Sequence, residues 1–189
     1  MSEIKSSDIS ETKQTNVDNY NNIQPEKETT VQEATNIVKE KFYEVPRYII
    51  NINESLENDR HPITGVQFER RIVELPSGEK IEGVFAKFDS KFDAQIKEDL
   101  YLKSDKAQFK ECNRQLFEEI EKSDKLKSQF SKEQIEQIKE GISDGSAPDG
   151  YVWHHDAEAG KIQLVDSETH AKTGHTGGRV IWGGGQEKR

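Results

Sequence analysis

Cysteine, apolar residues and positive charge are all scarce in this 189-residue chain. Cys112 is the single cysteine, so no intramolecular disulfide forms and the fold does not depend on oxidation. No histidine lies near it in sequence, and its expected role is packing within a helix rather than thiolate catalysis. Hydrophobic residues make up 31% of the chain against 33% charged, which points to a long disordered segment beside a small domain. No window approaches the roughly 20 apolar residues of a membrane span. The amino terminus, MSEIKSSDIS, has neither the basic region nor the apolar run of a signal peptide. Membrane insertion and a cleaved signal peptide are therefore not expected, and any export depends on another route.

The charge balance is the least expected shortage. A net charge of −9 is unusual for a binder of nucleic acid, which draws on clustered Lys and Arg. The acidity is uneven, however: residues 1–62 hold 12 acidic against 7 basic residues, whereas residues 148–189 hold 6 against 5. A bound divalent cation would offset what remains near the carboxyl end.

Residues 1–30, rich in Ser, Thr, Asn, Gln and Glu, read as a disordered tail. Residues 31–60 read as a short amphipathic helix (Val31, Ala34, Ile37, Val38, Phe42), a brief strand (YIINI, 48–52) and linker. The folded unit is expected over residues 61–186. His61, alone before Pro62, reads as a loop histidine. FERRIVEL (68–75) and KIEGVF (80–85) flank Pro76-Ser77-Gly78-Glu79, a hairpin turn composition that sets Arg70 and Arg71 on opposite faces. Phe88, Phe92, Ile96, Leu100 and Tyr101 predict one or two helical turns. Ser104 is an N-cap for a helix with the stripe Phe109, Cys112, Leu116, Phe117 and Ile120. Ser131 with Gln134 is a capping box opening a second helix with Ile135, Ile138 and Ile142 inward. Arg179-Val180-Ile181-Trp182 predicts a closing strand. The glycines at 183–185 make no phosphate loop, because no Lys-Ser/Thr or helix follows.

The chain is otherwise poor in metal-binding side chains, yet residues 150–178, GYVWHHDAEAGKIQLVDSETHAKTGHTGG, hold four of the five histidines. Tyr151-Val152-Trp153-His154-His155 predicts a strand, the polar 156–160 a turn and residues 161–165 a second strand. Asp166 or Ser167 then caps a short helix through Lys172. The hairpin places His154 and His155 on opposite faces, with Trp153 in the core, and the helix presents His170 toward the same small volume. Neutral imidazole both ligates first-row metals and serves as a general base. A fortuitous surface cluster or a structural zinc site remain alternatives, although structural zinc usually recruits cysteines.

This stretch resembles the HNH (His-Me finger, ββα-metal) nucleases, and more closely the WHH-type nuclease domains at the C-termini of bacterial polymorphic toxins. The resemblance extends to His61-Pro62-Ile63-Thr64-Gly65-Val66-Gln67-Phe68, the 85–92 stretch and the helical pair. It implies an α+β fold of small β-hairpins and helices with a C-terminal ββα-metal finger at 150–178, preceded by the disordered tail. By motif position it implies His154 and His170 as metal ligands, His155 as general base and His175 as a further ligand or phosphate contact. Gln163 stands nearest to the missing central Asn and is expected to orient the base. Lys172, Thr173, Thr176 and Arg179 are candidates for the nucleic-acid backbone. Colicin-type members space the last two histidines four apart, whereas His170 and His175 are five apart with Gly174 between. One divalent ion (Mg, Zn, Ni or Mn) is implied, with nucleic acid as substrate, DNA favoured over RNA. A cognate immunity protein is implied too, expected to use Lys172, Arg179 and the surroundings of Trp182. Synthesis in the bacterial cytoplasm and delivery into target cells by a dedicated system follow from the same likeness. A housekeeping or phage nuclease and a non-catalytic metal-stabilised module are the alternatives.

Overall fold

The computed structural model describes residues 45–185. The expected tail over 1–30 and the helix beginning at Val31 lie outside the described residues. The fold is α+β, built from two three-stranded sheets and a helical layer. In chain order the strands are β1 (Arg47–Tyr48), β2 (Gln67–Glu74), β3 (Lys80–Lys87) and β4 (Ser90–Gln95). The helices α1 (Asp105–Lys122), α2 (Asp124–Lys127) and α3 (Lys132–Asp144) follow, then β5 (Tyr151–His155), β6 (Lys161–Asp166), α4 (Ser167–Lys172) and α5 (Gly178–Ile181).

The first sheet runs β1-β3-β2 and contains the expected hairpin, with Leu75 and Gly78 closing the turn and Gly78 at positive φ. The strand alternation separates its two arginines as predicted. Arg70 forks onto Glu57 and reaches Glu82, with its guanidinium over the Tyr48 ring. Arg71 turns inward and bridges the Asp156 carboxylate at 2.6 Å. Residues 49–60 fold back on this sheet, with the Asn51 amide donating to the Val84 carbonyl and Asn58 N–H to that of Phe68.

The second sheet runs β4-β6-β5. The helical turns expected around 88–102 are mostly strand: β4 pairs antiparallel with β6, Phe92 opposite Leu164, and only Glu98–Leu100 coils as a short 3-10 turn. Here the i, i+4 spacing of apolar residues misled, because a six-residue segment also satisfies period two and the edge of β6 needed a partner. Across this sheet the rows alternate faces. Phe92, Leu164 and Trp153, then Ala94, Ile162 and His155, face the helices; Asp93, Gln163 and His154 face the other way.

The helical side is the main core: Ala94, Ile96, Trp153, Ile162 and Leu164 pack on Cys112, Leu116 and Ile120 of α1, Ile138 of α3 and Trp182. The α1 N-cap is Ser104 and the α3 capping box is Ser131 with Gln134, both as the sequence predicts. Gly145, at positive φ, ends α3. Cys112 is fully buried, and desolvation pushes its thiol far up, in keeping with a packing role. On the opposite face Val165 and Val152 pack on Val66, Phe68, Val84, Ala86 and Phe88.

Where a strand over 179–182 was expected, Gly178–Ile181 form the helical turn α5 with Trp182 as its C-cap. Both Arg179 and Trp182 are buried, and only a helical turn brings positions three apart to the same side. The Trp182 indole donates to the Asp156 carbonyl at 2.8 Å. A Cβ on Gly178 would stand 1.8 Å from that same carbonyl oxygen, so the turn closes on the hairpin only with glycine there. Among the described residues no helix is long and apolar enough to cross a membrane.

Candidate metal centre

Three imidazoles converge where β5 meets α4. The Nδ1 atom of His154 lies 3.3 Å from Nε2 of His170 and 3.3 Å from Nε2 of His175, and the three nitrogens all fall within 4.8 Å of one another. Metal–nitrogen bonds of about 2.0–2.1 Å at tetrahedral angles separate ligand nitrogens by about 3.3–3.4 Å. The ring of Phe88 closes the inner side, 4.8, 5.4 and 5.0 Å from His154, His170 and His175.

Each ligand has a local cause. His154 faces the cluster through strand alternation. His170 sits in α4, capped by the Asp166 carboxylate accepting from Thr169 N–H. The five-residue spacing to His175 is accommodated because α4 ends at Lys172 and Thr173 is extended, so His175 returns on a turn instead of a helical face. Its Nδ1–H donates to the Thr173 carbonyl at 2.7 Å, which leaves Nε2 as the lone-pair nitrogen aimed at the cluster. A Cβ on Gly177 would lie 3.2 Å from the His155 carbonyl oxygen and 3.4 Å from His154 Cε1, so the loop runs hard against the hairpin.

The electrostatics favour neutral rings. Burial pushes the His154 imidazolium well below its ordinary range, with His175 and His170 adding to the effect. Burial, then His175, lowers His170 to about 4, and burial lowers His175. Three neutral imidazoles that can each turn a lone-pair nitrogen to one small volume form a donor set that fits a cation.

The other anticipated residues lie elsewhere. His155 opens on the helical side: its Nε2 is 2.5 Å from Gln108 Oε1 and 3.9 Å from Asp105 Oδ1, and its ring packs on Phe109 and Trp182. Gln163 does not meet it. By register Gln163 stands beside His154 and His155 beside Ile162, and the Gln163 amide donates to Asp93 at 2.9 Å. Arg179 is buried, with Nε 2.8 Å from Asp105 and a bond to the Gly183 carbonyl, so it is not a surface contact for nucleic acid. Thr176 accepts from Ile52 N–H, and Thr173 is buried. Only Lys172 is exposed, paired with Glu168.

Several supporting residues carried no signal in sequence. Asn53, in the left-handed region at φ 63, donates to the Gly174 carbonyl at 2.8 Å and braces the His175 turn. His61 is the expected loop histidine, but it is tied to the site: Thr64 bonds its Nδ1 and contacts the Thr173 hydroxyl at 2.7 Å. Beside the cluster a cleft of about 600 Å³ shares Phe88 with it and is lined by Arg71, Lys87, Lys91 and Lys161 together with Glu69, Asp89, Asp93 and Asp156, of which Arg71–Asp156, Lys87–Glu69 and Lys161–Asp93 are ion pairs.

Such a centre, in a hairpin and helix packed on an α+β core, could hold one metal ion. Residues 77–177 match the model for the DNase/tRNase domain of colicin-like bacteriocins, a span of more than half the chain. The chain belongs to this family and contains a bacteriocin-type nuclease domain. No curated protein and no solved structure matches it.

Proposed function

We propose that the chain is a metal-dependent endonuclease of the HNH, WHH subtype that hydrolyses phosphodiester bonds, preferentially in DNA, as the toxic domain of a bacterial effector. The observation that carries this reading is the convergence of His154, His170 and His175 inside a colicin-type nuclease domain. Three nitrogen ligands leave a fourth position open, the pattern of a catalytic rather than a structural site. An all-imidazole set suits Zn or Ni better than Mg, which prefers oxygen.

His154, His170 and His175 would hold the cation, with Phe88 and the strand pairing keeping their rings in place, and when bound it would supply Lewis acidity at the scissile phosphate. His155 is assigned the general base that takes the proton of the attacking water. Its direction, away from the ligand cluster, fits a residue that is not a fourth ligand. Gln163 and the lysines of the neighbouring cleft are assigned to the approach of the nucleic acid. A cognate immunity protein, encoded beside the toxin, would meet the exposed Lys172 and Val180, because Arg179 and Trp182 are buried. Delivery into target cells follows from the bacteriocin kinship.

One observation favours a second reading of His155. Its burial against Gln108, Phe109 and Trp182 suits a packing role, in which case the ligands alone would carry catalysis. Digestion of plasmid DNA and total RNA, with chelation and add-back of Zn, Ni, Mn or Mg, tests the proposal. Metal-restored DNA cleavage is expected. Inertness of both substrates under every metal would sink the nuclease reading, and cleavage of RNA alone would replace the substrate. Expression of the wild type should kill a bacterial host while His155→Ala should not. A harmless wild type that cleaves in vitro would point to a housekeeping nuclease.

A further inference from the structure

Alternation along β2 and β3 decides which main-chain groups face outward. The Glu82 carbonyl accepts from Ile49 N–H on the β1 side, so Ile81, Gly83 and Phe85 turn their groups toward Val73, Arg71 and Glu69 of β2. Phe68, Arg70, Ile72 and Glu74 therefore point off the sheet edge. At Phe68 both groups are taken, the N–H by the Asp59 carbonyl and the carbonyl by Asn58 N–H, and the cover given by the 49–60 segment ends there. Among the described residues, the outward N–H and C=O of Arg70, Ile72 and Glu74 have no partner. Exposed edges are normally blunted by a bulge, a proline, a lysine or a cover. The edge of β4 follows that rule, with the Gln115 amide bonded to both the N–H and the C=O of Gln95. The edge of β2 does not: it pairs without a register shift, holds no proline or lysine, and leaves Ile72 59% exposed. An open groove of about 540 Å³, lined by Arg71, Ile72, Val73, Glu74, Glu158 and Ala159, lies beside it.

We propose that this edge is occupied by a second copy of the chain: two β2 strands pair antiparallel about a two-fold axis at Ile72, giving a continuous β1-β3-β2-β2-β3-β1 sheet. Outward residues facing outward residues are the hydrogen-bonded pairs of an antiparallel ladder, each exchanging both N–H···O bonds. The edge is self-complementary in this register. Ile72 meets the partner's Ile72 and buries its exposed side chain there, while Arg70 meets the partner's Glu74 at both ends. Glu74 has no ion-pair partner among the described residues, and Arg70 gives only three of its five N–H donors to Glu57 and Glu82. Slipping the axis to Arg70 or to Glu74 would set that residue against the same charge on its copy, so charge fixes the register as well as the partner. An interface of this kind uses the same patch on both copies and closes at two.

The test is sedimentation velocity of the full chain across a concentration series, in EDTA so that no metal bridges the histidines of two copies. Association from one 21.6 kDa chain to two is expected. Ile72→Lys sets two lysines face to face at the axis and should weaken the association about tenfold or more. Ile72→Pro removes an outward N–H that the β2–β3 ladder does not use, and should weaken it likewise. Ile63→Lys, at an isoleucine 76% exposed away from the edge, should leave it unchanged. Amide exchange reads the wild-type backbone directly and needs no variant to fold: the N–H groups of Arg70, Ile72 and Glu74 should slow in the dimer, whereas those of Glu69, Arg71 and Val73 are protected in either state. A chain that stays monomeric up to its solubility limit overturns the proposal and leaves the edge to a strand of a different protein. A dimer with fast exchange at the three edge amides, or one weakened equally by Ile63→Lys, overturns it as well, because it would use another surface. None of these readouts involves cleavage or metal, so the outcome is independent of the nuclease reading.

Discussion

His154 and His155 are chain neighbours that serve different halves of the molecule: His154 turns to the ligand cluster beneath α4, and His155 to Gln108 beneath the helical layer. Period-two alternation of β5 enforces the division. Loss of each should have a different signature. His154→Ala, His170→Ala and His175→Ala should weaken zinc binding by more than the roughly 10–100-fold of an outer-shell change. His155→Ala should bind zinc nearly as the wild type and fail to cleave. Calorimetric titration of the four variants decides it, and equal loss of binding in all would abolish the division of roles.

Proton linkage follows from the depressed histidines. His154, His170 and His175 all have folded values below the ordinary 6.5, His170 at about 4, so the unfolded chain binds more protons in that window. Stability of the metal-free protein should therefore be fully present above about pH 6.5 and decline as the pH falls toward 4. Urea midpoints measured across that range check the sign. A midpoint that rises on acidification would contradict the burial of neutral rings.

The segment at 51–53 precedes the family match yet braces the turn of His175. Asn53→Ala removes the donor to the Gly174 carbonyl. Zinc affinity should drop about tenfold, as for other residues that orient a ligand, with little loss of global stability. Titration and thermal unfolding of the same sample separate the two effects, and an unaltered affinity would mean that Thr173 alone sets the turn.

Arg71 and Asp156 join the first sheet to the β5–β6 hairpin, and the Asp156 side chain is only 4% exposed against 22% for Arg71. Removing the arginine strands a buried carboxylate, while removing the charge of the acid leaves a guanidinium that reaches water. Arg71→Met should cost about 3 kcal/mol and Asp156→Asn about 1 kcal/mol, the latter keeping the acceptor for Glu158 N–H. Denaturant titration of both measures the asymmetry; the reverse order would place the penalty on the arginine.

Much of the histidine-bearing hairpin and helix was legible because its determinants are local. The alternation of β5, the polar turn at 156–160, the Asp166 cap on α4 and the Ser131–Gln134 box each involve residues within a few positions of one another. The likeness of WHH and the following histidines to known nucleases was legible for the same reason. What the tertiary structure decided is non-local. Whether residues 90–95 form a strand depended on the open edge of β6, and the turn of Arg179 and Trp182 on the places waiting for them beside Asp105 and Asp156. The partner of His155 came from α1 and the brace of His175 from Asn53, because neither alternation nor capping carries information about which distant side chain fills a buried polar site. Sequence thus determined which histidines lie on each face and in the helix. Packing between sheet, helices and the 49–60 segment determined which nitrogen each one offers, since a ring's tautomer follows its hydrogen-bond partner.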